Sequence, residues 1–88
     1  VRRDAAEKRA QLAPLRKAMQ SAEKTVEALH AEIARIDAAL ADPALFAKDA
    51  AKAKTLTIER GRKAKELGAA EEAWLAATKA FETAEAAG

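Results

Sequence analysis

The stretch LADPALFAKDAAK, residues 40–52, breaks an otherwise monotonous pattern rich in alanine and charge. It carries Pro43, one of only two prolines, and it sets Leu45 and Phe46 side by side. Asp42 is placed to cap a short helical turn that begins at Pro43, whose fixed φ suits a first helical position. Asp49 is placed to cap a second helix in the same way. The segment therefore reads as a return, with one helix ending before it and another starting after it. Leu45 and Phe46 are expected to plug the open end of the apolar seam between the two.

Both flanks carry that seam. Leu12, Leu15, Met19, Ala22, Val26, Leu29, Ile33, Ile36 and Leu40 alternate steps of three and four. That is an unbroken a/d heptad, about 42 Å long at the standard helical rise. Its extension back to Ala5 and Lys8 is weaker. Pro14 either opens the main helix or kinks a longer one. The second seam runs through Ala53, Leu56, Arg60, Lys63, Leu67, Ala70, Trp74, Ala77, Phe81 and Ala84, with two bases at core positions. Beside it lies a line of small residues, Thr57, Gly61, Ala64 and Gly68. That line reads as a place where backbones approach closely, or as a loose stretch of helix.

The expected fold is all-α: a two-helix antiparallel coiled-coil hairpin with a short helical turn at its tip. One domain spans 1–88, with helix 1 at about 4–41, the tip at 42–49 and helix 2 at about 50–86. Folding back brings Trp74 near Met19 and Ala22, and Phe81 near Leu12.

Composition agrees with a rod. Half of the 88 residues are hydrophobic, but 27 of them are alanine, too little bulk for a globular core. There is no cysteine, which excludes disulfides and thiolate metal sites. No apolar run approaches the roughly 20 residues that span a bilayer. No phosphate-binding G-x-x-x-x-G-K-[ST] loop occurs; "ERGRKAKELG" is not one. The one histidine, His30, reads as a surface residue, and the one serine, Ser21, lies on another face of the same helix. No catalytic, cofactor or metal site is expected in this segment. The start at Val1 and the soft "ETAEAAG" end read as an excised piece of a larger chain.

Net charge is +2, but it is distributed in blocks. Residues 1–17 hold six bases and two acids, and residues 18–47 hold two bases and five acids. Residues 48–65 hold seven bases and two acids, and residues 66–88 hold one base and five acids. In a hairpin each basic block faces an acidic one, which fixes register and orientation. Lys52, Arg60 and Lys63 fall near the inner face, where Glu27, Glu32 or Asp37 can meet them. Lys54, Arg62 and Lys65 fall on the solvent side without a partner. Arg9, Arg16, Lys17 and Lys24 form a second exposed line, and Lys48 and Lys52 flank the tip. Cations spaced along a rod suit a phosphate backbone. No exposed aromatic is interleaved with them, which argues against sequence-specific reading.

The order of features carries a family resemblance. "LAPLRKAM" leads into a long heptad helix, "LADPALFAKDAAKA" ends it, and the second helix closes on "EEAWLAATKAF". This resembles the C-terminal coiled-coil domain of the ABC-F ATP-binding cassette proteins, tandem-cassette ATPases without a membrane domain. Leu40, Ala41, Asp42, Pro43, Leu45, Phe46, Asp49 and Lys52 match that family's tip, and Trp74 matches its late tryptophan. Ala50 stands where the family usually has a second proline. "PLRK" at 14–17 looks like the YheS-like or Uup-like branch. Arg60 and Lys63 stand where relatives have apolar seam residues.

The resemblance implies a bacterial, cytoplasmic parent that uses ATP and Mg on cassettes outside this segment. It implies action on the ribosome and translation, or on DNA. The segment itself would be a non-catalytic, monomeric appendage that contacts DNA or ribosomal RNA without sequence preference, or its own cassettes, and no membrane. Lys48, Lys52, Lys54, Arg62, Lys65, Arg9, Arg16, Lys17 and Lys24 are the candidate nucleic-acid contacts. The competing reading is a structural spacer, or a docking and regulatory arm, that binds no nucleic acid.

Overall fold

The computed structural model describes residues 2–87, with side chains from Asp4 onward. Three helices follow one another: α1 (Arg2–Leu40), α2 (Pro43–Lys48) and α3 (Ala50–Ala86). The two long helices pack against each other along their length, and the short one bridges them at one end. The result is an antiparallel hairpin 69 × 16 × 13 Å in extent. Its radius of gyration is 19.8 Å, against about 12 Å for a compact domain of this length.

Apolar spacing makes the long helices and decides which face they bury. Leu12, Val26, Leu29, Ile33 and Ile36 of α1 are buried, together with Ala53 of α3. These α1 residues all belong to the a/d seam, so the heptad reading holds. Leu15, Met19, Ala22 and Leu40 are half-buried, as are Leu56, Leu67, Trp74 and Phe81 on α3. The asymmetry follows from composition: α1 supplies the aliphatic ridge, and α3 answers with alanines, two cations and two rings.

The return is built from caps. Asp42 sits in an extended conformation and its Oδ1 accepts from the Ala44 amide at 3.0 Å. Pro43 follows as the first residue of α2 and needs no amide partner there. Asp49 ends α2 and starts α3, its Oδ1 accepting from the Lys52 amide at 3.0 Å. No described residue has a positive φ. The chain thus reverses with two aspartate caps instead of a left-handed glycine.

One expectation needs correction, and two readings left open by the sequence are decided. Phe46 does not plug the seam: it is 53% exposed, and the half-buried Leu45 takes that place. A six-residue helix turns one side of its two apolar neighbours inward, and Leu45 has it. Of the two readings of the small-residue line, close approach is the one excluded. A Cβ added at Gly61 or Gly68 would meet nothing within 4 Å. Pro14 does not open the main helix, because α1 runs unbroken from Arg2. Pro14 and Ala10, whose carbonyl loses its amide partner there, are both exposed, so water can satisfy that oxygen.

Candidate nucleic-acid interface

The cations of α3 divide into two sets. Arg60 and Lys63 occupy seam positions and are used between the helices. Arg60 Nε donates to Asp37 Oδ1 at 2.8 Å, and its second guanidinium nitrogen donates to Asp37 Oδ2 at 3.3 Å. This bidentate geometry holds the Asp37 carboxyl below the usual range and the guanidinium above its own, in each case chiefly through the side-chain hydrogen bond. Lys63 Nζ lies 2.9 Å from Glu32 Oε2 and 3.5 Å from Glu66 Oε2. The bond to Glu32 is the main cause raising its ammonium pKa. Glu32 Oε2 is buried and has no other polar partner, so the ammonium is what compensates it.

Two of the three inward cations therefore behave as expected, and two of the three acids offered to them are the ones used. Lys52 departs from that expectation. It is exposed, it makes no ion pair among the described residues, and its backbone amide serves the Asp49 cap. In the register that pairs Arg60 with Asp37, Lys52 lies opposite the return, beyond the last acid of α1. At the far end Lys8 Nζ donates to the Glu85 carbonyl oxygen at 2.6 Å, tying the base of the hairpin.

The second set is the outward one. Lys54, Arg62 and Lys65 are all exposed, with no ion pair among the described residues. At about 100° per residue they lie opposite Leu56, Leu67 and Trp74. They extend over about 16 Å of helix axis. Arg9, Arg16, Lys17 and Lys24 are exposed on α1. Arg16 differs from the rest, because its guanidinium carbon sits 5.4 Å from the centre of the Phe81 ring. That cation–π contact crosses from α1 to α3 and holds Arg16 against the hairpin. Lys48 and Lys52 share a groove of about 310 Å³ at the tip with Asp42 and Asp49, so the local field there is mixed.

Two features escaped the sequence reading. Ile58 and Leu75 are 57% and 65% exposed on α3. Their signal was the absence of both from the a/d seam. Phe46 also leaves an exposed ring at the tip, where the sequence reading had placed it inside the seam. It stands at the tip and not along the Lys54–Lys65 stripe. No cluster of three metal-ligating side chains occurs among the described residues. No described helix is long and apolar enough to cross a membrane.

The fold thus defines an elongated antiparallel coiled-coil hairpin with its exposed cations on the outer faces. A family model described as the ABC transporter C-terminal domain matches residues 6–78, and the chain belongs to that family. No curated protein and no solved structure matches it.

Proposed function

We propose that this chain is the nucleic-acid-binding appendage of an ABC-F ATPase, a cytoplasmic protein acting on the ribosome or on DNA. The family supports the appendage; the nucleic-acid role rests on the cations. The observation that carries it is the division on α3. Arg60 and Lys63 are consumed by α1 acids, while Lys54, Arg62 and Lys65 stay exposed and unpaired among the described residues. If all these bases served register, the outward ones would also face acids. Exposed cations spread along one side of a helix instead fit the regularly charged phosphate backbone of a duplex. Such contacts position without reading bases, so binding is sequence-neutral. ATP and Mg belong to the parent's cassettes.

The test compares the chain with the triple variant Lys54→Gln, Arg62→Gln, Lys65→Gln on duplex DNA and on a ribosomal RNA duplex. Equal affinity of the two chains for both ligands rejects the stripe. A chain that binds neither leaves the second reading, a spacer or docking arm, which the 69 Å length of the rod favours.

A further inference from the structure

The outward face of α3 carries a second heptad. Lys54, Ile58, Gly61, Lys65, Gly68, Glu72, Leu75 and Lys79 step by 4, 3, 4, 3, 4, 3 and 4. These are the b and f positions of the seam that faces α1, and every one of them is exposed. Of the three large apolar side chains exposed among the described residues, Ile58 and Leu75 lie on this line. The order of steps is the same from either end. When two copies of α3 are laid antiparallel about a point between Glu66 and Leu67, every residue of the line meets another residue of the line.

The pairs that result are complementary at the centre. Ile58 of each copy meets Leu75 of the other. Lys65 meets Gly68, and Gly61 meets Glu72. The glycines leave room for the two long side chains, and Lys65 of one copy lies one layer from Glu72 of the other. Open space at Gly61 and Gly68 has no use inside the hairpin, and here it has one. The flanking positions Ala69 and Ala76 are small as well, which lets the helices come close. Only the end layers oppose like charges, Lys54 against Lys79, and those ends are long-stemmed and screened by salt. We infer that the outward face of α3 binds a second copy of this chain, antiparallel across a two-fold axis between Glu66 and Leu67. The occupant is a second copy because the face is self-complementary in both apolar and charged pairs, as an isologous contact requires.

This goes beyond the nucleic-acid reading and does not depend on it. It replaces the monomer expected from the sequence with a weak dimer in the micromolar-to-millimolar range. Because Lys54 and Lys65 belong to both surfaces, a second copy and a duplex exclude one another on this face.

The test is sedimentation equilibrium of the chain from micromolar to millimolar concentration, without nucleic acid, with helicity followed by circular dichroism. The chain is expected to pass from monomer to dimer across the series. Lys65→Glu and Glu72→Lys sit on the surface and should keep full helicity. Each is expected to weaken the dimer about tenfold or more, since each turns two attractive pairs repulsive. The double variant carrying both changes restores it, and Ile58→Asp abolishes it. A chain that stays monomeric at millimolar concentration overturns the inference. So does a dimer that neither single charge reversal weakens, because another face would then hold it.

Discussion

Arg60 of α3 grips Asp37 of α1 with both ends of its guanidinium fork, at 2.8 and 3.3 Å. One turn further along, Lys63 reaches Glu32 at 2.9 Å. The two contacts set the register of the hairpin where its apolar seam is interrupted.

The pH dependence of the fold follows from these pairs, with opposite signs at the two ends. The Asp37 carboxyl titrates lower in the hairpin than in the unfolded chain. Its contribution is therefore present above the ordinary aspartate value of about 3.9 and lost as pH falls through the lowered one. The Lys63 ammonium titrates higher when folded. Its contribution is complete below the ordinary lysine value of about 10.4 and lost as pH rises through the raised one. Melting temperature should be insensitive to these two groups between those limits. In Asp37→Asn the loss on the acid side shrinks; an unchanged acid limb would mean that the pair contributes nothing.

Replacing the two seam cations should have unequal effects. Arg60→Leu adds apolar contact and strands only Asp37, which is half-exposed and can be hydrated. Lys63→Leu leaves the buried Glu32 oxygen without compensation. Thermal melts should rank Arg60→Leu above Lys63→Leu, and Glu32→Ala should recover stability in the Lys63→Leu background. The reverse ranking contradicts the assigned geometry.

Backbone substitutions should stabilise the rod at three places. Gly61→Ala and Gly68→Ala insert a methyl group into open space, for a gain of about 1 kcal/mol each. Pro14→Ala restores an amide inside α1, worth up to about 3 kcal/mol. Denaturant titration of the chain at low concentration, where it is monomeric, reads these gains. A loss at either glycine would show that the helices touch there.

The tip should respond to its caps more than to its exposed ring. Asp42→Ala and Asp49→Ala each remove a side-chain bond to a helix-start amide, at about 1 kcal/mol apiece. Leu45→Ala removes the inward apolar contact, while Phe46→Ala, at a residue 53% exposed, should change stability less. If Phe46→Ala is the more damaging of the two, the ring closes the seam after all.

Much of this was legible in the residues. The 3,4 spacing named the buried face of α1, and Asp42-Pro43 with Asp49 located the return before any coordinates. Opposed charge blocks predicted that Arg60 and Lys63 would meet acids of the first helix. What was not legible depends on rotation about an axis. Leu45 and Phe46 are equivalent as sequence, and only the orientation of a six-residue helix separates them. The small-residue line from Thr57 to Gly68 is equally consistent with close packing and with an empty outer face. Lys52 was misplaced because a helical wheel carries no register: with Arg60 set against Asp37, Lys52 falls opposite the return beyond Leu40, where α1 offers no acid. The outward heptad was overlooked because Ile58 and Leu75 stand far apart with charges between them.

The central claim is that unpaired outward cations bind a phosphate backbone, and salt tests it most directly. The measurement is the affinity of the chain for a duplex as a function of salt concentration, repeated with Lys54→Gln, Arg62→Gln, Lys65→Gln. Binding in the range of about 10⁻⁴ to 10⁻⁶ M at physiological salt is expected, falling steeply as salt rises. The triple variant should flatten the log–log slope by about 2.7, the share of three phosphate contacts. No binding at low salt, or a slope that the triple variant leaves unchanged, would contradict the account.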